Sequence, residues 1–206
     1  MWKILFIIVA ALIYFWQSSD PVVIDSNVTD VFPIKYASGL SINKSPIQNN
    51  INTSKNYFQF DEYQITPLAD FQLIAKVLAA KHYRSGREAD LSPVDLALGW
   101  GPMSKQKNLD KLSISQSNRW YHWRTDDFPI PRKDIETNSA NMHFIPGNDE
   151  IRKKLKSIES GDTIKLMGYL VRIDGNDGWH WTSSMTRNDT GNHACELILL
   201  EDIKKI

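Results

Sequence analysis

Apolar and polar residues alternate along several short segments in the second half of the chain. A strand places successive side chains on opposite faces, so this alternation, together with aromatic and β-branched residues, predicts strands. Glycine often marks a break in strand pairing, and Gly168 therefore predicts a bulge in one of them. The predicted strands are Leu112–Arg124, Asn141–Ile145, Thr163–Ile173, Trp179–Ser184 and Ala194–Ile203.

One segment carries complete start and stop signals for a helix. Asn148 is a favoured N-cap residue, two acidic residues follow it, and Gly161 ends the segment. Between them, Ile151, Leu155 and Ile158 recur at helical spacing. The pattern predicts a helix with one apolar stripe that packs against the sheet.

Two earlier segments have less direct patterns. Residues 66–83 fit both the helical period and strand alternation, and we favour a helix that starts at Thr66 and Pro67. Ser92 and Pro93 predict the start of another short helix, because serine caps helices and proline is favoured at the first helical position. Glycines after Leu98 would end that helix within about two turns.

The order of these elements predicts an α+β domain over residues 57–206. We expect a small curved antiparallel sheet or a partly closed barrel with one well-marked helix. The order is similar to that of an OB-like barrel, which places its helix between the third and fourth strands.

An apolar run of 13 residues, Ile4 to Trp16, lies near the N-terminus. Its length fits the core of a signal peptide and is shorter than the roughly 18–20 residues of a comfortable membrane span. The bulky residues at its end disfavour cleavage, so residues 1–19 are predicted to be an uncleaved membrane helix, with a cleaved signal as the alternative. Lys3 precedes the run and acidic residues follow it, which places the remainder outside the cytoplasm.

Residues 20–56 are rich in serine, asparagine, threonine and aspartate, and predict a flexible tether. In a bacterium this topology gives a single-pass inner-membrane protein with a periplasmic domain. The 24 basic and 24 acidic residues balance, so the basic footprint of a nucleic-acid partner is not expected. The interleaved cations and aromatics of Arg119–Arg124 suit stacking on single-stranded nucleic acid, but aromatic residues on both strand faces indicate that one face serves packing.

Most candidate chemistry lies in residues 179–196. Asp189-Thr190-Gly191 repeats the triplet of aspartic proteases, yet it lacks the apolar lead-in and the second copy, so a polar turn is expected. The only cysteine, Cys195, is expected to be a buried thiol at the start of an apolar strand. His193 and Glu196 lack metal-ligand spacing. We therefore predict no catalytic residue, metal or cofactor.

Four blocks of sequence resemble those of uncharacterised, membrane-anchored bacterial proteins. They are SPVDLALGWGPMS, ISQSNRWYHWR, SANMHFIPG, and WTSSMTRNDTG followed by ACEL. The resemblance covers about residues 92–200 and implies a place in the bacterial envelope, with no activity attached.

The expected function is a membrane-anchored periplasmic binding or assembly module with a protein partner. Large aromatics beside an arginine often carry interface energy, and the predicted binding residues are Trp100, Trp179, Trp181, Arg187 and Asp189. The alternative for these tryptophans is a place in the core. The alternative function is a periplasmic hydrolase that uses Cys195 or a His/Asp site within residues 179–196.

The predicted topology can be tested with protease. Exposed, polar segments are cleaved preferentially, so protease added to spheroplasts should cut near Lys35, Lys44 or Lys55 and release a soluble fragment close to the domain's mass. Immunoblotting of the supernatant measures that fragment. A fragment that stays protected until the inner membrane is broken would show the opposite orientation.

Overall fold

The computed structural model describes residues 35–51, 58–186 and 195–206. The structure is mostly sheet with few helices, and the sheet is curved and partly ring-like. The strands are β1 (Ile47–Asn50), β2 (Phe58–Phe60), β3 (Tyr63–His82), β4 (Val94–Gly99), β5 (Ser113–Ser117), β6 (Trp120–Arg124), β7 (Ser139–Pro146), β8 (Thr163–Gly175), β9 (His180–Thr182) and β10 (Glu196–Lys205). The helices are α1 (Arg87–Leu91), a 3-10 turn at Gly101–Ser104, α2 (Gln106–Leu109), α3 (Arg132–Thr137) and α4 (Asp149–Lys156).

Several sequence predictions fall outside this part of the chain: the membrane helix at residues 1–19, much of the tether, the binding residues Arg187 and Asp189, the polar turn at 189–191, and His193. Within the described ranges, no helix combines the length and the apolar character that a membrane span requires.

Five strands are hydrogen-bonded in a ring, in the order β3, β4, β7, β10, β8 and back to β3. All of these pairings are antiparallel except that of β7 with β10, which is parallel. The ring closes because β3 pairs with β8 over Tyr63–Lys76 and with β4 over Lys76–His82. Its interior holds the main apolar core, which includes Phe71, Leu96, Phe144, Leu166 and Ile198.

Interruptions in pairing bend the strands enough for this closure. The register of β3 against β8 shifts between Pro67 and Ala69, and that of β10 against β8 shifts between Leu200 and Asp202. An extra residue at such a bulge increases local bend and twist. The bulge predicted at Gly168 therefore lies on the neighbouring strand β10, while Gly168 itself lies opposite Leu200 and allows close approach of the two backbones.

The helix favoured for residues 66–83 is wrong, because these residues form most of strand β3. The helix predicted from Ser92 is also wrong, because Val94–Gly99 form strand β4. Every residue of β4 is buried, and the strand pairs with β3 on one edge and β7 on the other. Pairing on both edges outweighs local capping signals, which contribute only about 1 kcal/mol.

The single strand predicted over Leu112–Arg124 is a hairpin of β5 and β6. Asn118 and Arg119 form its turn with φ values of 50° and 65°. Positive φ at both central residues defines the tight turn whose twist matches a hairpin, and asparagine tolerates that conformation. The hairpin forms a separate two-stranded sheet packed against the ring.

Several of the other predicted elements are confirmed within the described residues. Asn148 caps α4, and its side-chain oxygen accepts a hydrogen bond from the Ile151 N–H at 2.9 Å. Strands β7, β8, β9 and β10 overlap the segments predicted for them. Part of the predicted tether contacts the domain, because β1 pairs with β3, and the Tyr36 hydroxyl donates to Asp202 at 2.9 Å.

Replacement of Gly168 by alanine tests the close approach of β8 and β10. A Cβ at this position would overlap the carbonyl oxygen of Leu199, so we expect Gly168→Ala to lower the free energy of unfolding by about 3 kcal/mol. Gly175→Ala, in the same strand, is the matched control, because the nearest atom is the movable carboxylate of Asp177 at 2.9 Å. Urea denaturation should show a loss of about 1 kcal/mol or less for the control. Equal losses would contradict the steric explanation.

Candidate functional site

The Arg119 side chain connects the β5–β6 hairpin to the ring of strands. Its side chain is 14% exposed, and one guanidinium nitrogen lies 2.7 Å from Asp95 Oδ1. The same nitrogen donates to the Ser92 carbonyl oxygen at 2.9 Å, and the guanidinium carbon lies 3.8 Å from the centre of the Tyr83 ring. The hairpin turn directs the Arg119 side chain toward the ring of strands. Arg119, which the sequence placed within a strand, therefore makes a largely buried contact with Asp95.

Asp95 and His143 lie opposite each other on β4 and β7, on the outside of the ring. His143 Nδ1 is 2.9 Å from Asp95 Oδ1, although the contact lacks the geometry of a hydrogen bond. Trp181 covers the imidazole, with ring centres 4.9 Å apart, and His143 is only 4% exposed. The pair is therefore closed to solvent by Trp181 and Arg119.

The main electrostatic interaction of this cluster is between the buried carboxylate of Asp95 and the guanidinium of Arg119. Asp95 is fully buried, and its charge faces Arg119. Burial is the main cause that raises the pKa of Tyr83 above its usual value, and the negative charge of Asp95 adds to it. Such a cluster holds elements together, because removal of the cation would leave a buried charge without compensation.

A cleft of about 590 Å³ lies beside this cluster. The hairpin strand β6, helix α3, the start of β7 and the residues on either side of 187–194 line it. The volume falls within the range of ligand-binding clefts, which is about 300–1,000 Å³. Its aromatic lining residues are Trp100, Trp120, Tyr121, His122, Trp123 and Phe128.

Charged and polar groups of the cleft differ in how firmly they are held. Arg132 donates to Glu136 at 2.7 Å and lies over the Trp123 ring at 5.8 Å, whereas Arg124 is 83% exposed and lies 3.9 Å from Asp126. Burial raises the pKa of Tyr121 to about 12. At neutral pH the cleft therefore presents a loosely held arginine next to aromatic surface.

The indole of Trp100 is 1% exposed and contributes to the lining of the cleft. Its Nε1–H has no acceptor among the residues the structure describes. A buried donor without a partner costs free energy, about 1–3 kcal/mol for a polar group of this kind.

The three predicted binding residues that the structure describes lie in two separate places. Trp179 and Trp181 pack together, with ring centres 6.3 Å apart, against the outside of the ring, where Arg87 lies over Trp179 at 5.2 Å. Trp100 lies apart from them in the cleft. For Trp179 and Trp181 the packing alternative agrees with the contacts. Trp100 fits that alternative as well, because it belongs to the main apolar core, and it also contributes to the lining of the cleft.

Cys195 was expected to be a buried thiol, and the structure places it, half-buried, just before β10 in the wall of the cleft. Its Sγ lies 3.9 Å from the carbonyl oxygen of Arg119. Within the described ranges, no group of three or more histidine, cysteine, aspartate or glutamate residues is arranged to hold a metal ion.

Sequence reasoning missed Asp95 and the lining role of Trp120 and Trp123. An aspartate in the apolar segment VDLALG was an available signal, because a buried charge needs a partner. That signal does not name Arg119, which lies 24 residues away in sequence.

No protein-family model, curated protein or solved structure matches this chain. The inferences about function therefore rest on the geometry of the cleft and on the sequence.

Because Arg119 contacts Asp95 and Arg124 is exposed, we expect replacement of these two arginines of the hairpin to change the free energy of unfolding by very different amounts. Arg119→Ala leaves Asp95 buried without its cation, so we expect a loss of about 3 kcal/mol in the free energy of unfolding. Arg124→Ala is the control, because its side chain is largely exposed and should change stability by less than about 0.5 kcal/mol. Urea denaturation of the two variants measures both values. Similar free energies of unfolding for the two variants would show that the Arg119 contact does not hold the hairpin on the ring of strands.

Proposed function

We propose that the chain is a membrane-anchored periplasmic module that binds a protein partner through the cleft between β6 and β7. The observation that carries this proposal is the cleft itself, with its row of aromatic residues and the exposed Arg124 at its rim. Aromatic and arginine side chains are enriched where interfaces derive most of their free energy. The membrane-anchored, periplasmic part of the proposal comes from the sequence, which predicts an inner-membrane anchor at residues 1–19.

The domain is, in this proposal, an OB-like barrel. Support comes from the ring order of five strands, from the parallel pair β7 and β10, and from α4 between the third and fourth ring strands. OB barrels bind oligonucleotides and oligosaccharides on the face of their second and third strands. Here Arg119 and Trp181 cover Asp95 and His143 on that face, which favours a binding site beside it.

The hydrolase alternative has less support from the geometry. The contact of His143 with Asp95 lies beneath Trp181 and is closed to a substrate. Cys195 does line the cleft and is the residue on which a hydrolase would depend. Retention of function by Cys195→Ala would therefore favour a binding module.

Photocrosslinking in the source bacterium tests the proposed site. A photoreactive residue at position 122, where the native His122 is exposed and lines the cleft, should form one discrete adduct with a periplasmic partner. Position 156 on α4 is the control, because Lys156 is also exposed but does not line the cleft. The Arg124→Glu variant should reduce the adduct at position 122 by about tenfold, and Cys195→Ala should leave it unchanged.

Immunoblotting with mass spectrometry of the adduct measures these outcomes. Equal adducts at positions 122 and 156, or an adduct that persists fully in Arg124→Glu, would contradict binding through the cleft.

A further inference from the structure

We propose that the partner binds as an extended peptide segment that adds as a strand along the outer edge of β6. The inference rests on the proposed function and specifies how its cleft recognises a partner. It depends on three features: which residues of β6 line the cleft, where the backbone groups of β6 point, and what forms the opposite wall.

The cleft follows the edge of β6 rather than one of its faces. Successive side chains of a strand point to opposite faces, so a cleft on one face would contact every second residue. Here the lining includes each residue of 120–125 in turn. Contact with both sets of alternating side chains places the cleft along the edge, where main-chain groups are accessible.

The hairpin turn identifies the main-chain groups on that edge. A two-residue turn at Asn118 and Arg119 makes Ser117 and Trp120 the hydrogen-bonded pair that closes the hairpin. Hydrogen-bonded and non-hydrogen-bonded pairs alternate from there, so the N–H and C=O of Tyr121 and Trp123 point away from β5. No described hydrogen bond outside the β5–β6 ladder uses these groups.

The opposite wall is a second strand edge. Residues 139–141 pair with β4 on one side, whereas the pairing of β7 with β10 begins only at Met142 and Glu196. The cleft therefore lies between the outer edge of β6 and the edge at the start of β7, which has no strand partner among the described residues. A strand placed along β6 would satisfy outward main-chain groups for which no partner is described.

The charges in the cleft indicate the chemistry of that peptide. Glu136 already compensates Arg132, while Arg124 is 83% exposed and lies 3.9 Å from the Asp126 side chain, which is 94% exposed. An acidic side chain opposite Arg124, flanked by apolar or β-branched residues beside the aromatic row, fits this surface. A second copy of β6 fits less well, because it would bring a second Arg124 to a cleft that Arg124 and Arg132 already line.

The test uses the full chain in detergent and a blocked peptide that alternates valine and threonine around one glutamate. Binding should slow hydrogen exchange of the Tyr121 and Trp123 amides by about tenfold or more, measured by NMR. The His122 amide, which bonds to β5, should change little. The matched control is the same peptide with N-methylated amides, which keeps the side chains but cannot add as a strand, and it should not bind.

Arg124→Glu should weaken binding of the glutamate peptide by about tenfold and strengthen binding of its lysine counterpart by a similar factor. Equal binding of the N-methylated peptide would overturn strand addition while leaving the cleft as a binding site. Failure of the unmodified peptide to bind below about 1 mM would overturn the extended-peptide inference alone if the adduct at position 122 forms as expected. Failure of both would overturn the proposed function as well.

Discussion

Simultaneous pairing of β3 with β4 and β8 is the constraint on which the rest of the structure depends. A single strand of 20 residues pairs on both sides of the ring, and register shifts near Pro67 and between Val77 and Ala79 bend it toward closure. Closure buries the alternate residues of each strand in one core and removes edges that would otherwise pair with other chains. It also brings Asp95 of β4 opposite His143 of β7 on the outer surface.

That outer surface determines where binding can occur. A buried carboxylate needs compensation, and Arg119 supplies it from the tip of the hairpin. The hydrogen bond from the Asn141 side chain to the Arg119 carbonyl, at 2.9 Å, fixes the tip from the other side. The hairpin is therefore held over the ring, and its outer strand β6 faces the start of β7 across the cleft. One ion pair thus links the stability of the domain to the shape of its proposed site.

An unpaired strand edge is usually an aggregation hazard, and proteins protect such edges with charge, twist or cover. The edge of β6 lies in a cleft that Arg124 and Arg132 also line, and in the proposed mode of binding one extended segment covers that edge. Main-chain hydrogen bonds then provide affinity for any strand, and the aromatic row and the cations provide selectivity. Under the proposed function, the partner would supply a short extended sequence to this edge.

Local signals in the sequence determined the elements whose stability is local. The Asn148 cap and the apolar stripe predicted α4, and strand alternation predicted β7 to β10, because each pattern is contained in a few neighbouring residues. The curved, mostly-sheet architecture was also predicted, because several alternating segments surround one segment with complete helix signals.

Only the tertiary structure decided the nature of residues 66–83 and 92–99, where pairing on both strand edges outweighs helix-start signals worth about 1 kcal/mol. It alone divided residues 112–124 into a hairpin and joined Arg119 to Asp95 across 24 residues. The cleft could not be predicted from the sequence, because it too depends on residues that are distant along the chain. It is formed by strand edges, and whether an edge is paired depends on which distant strand lies beside it rather than on the residues of the strand itself.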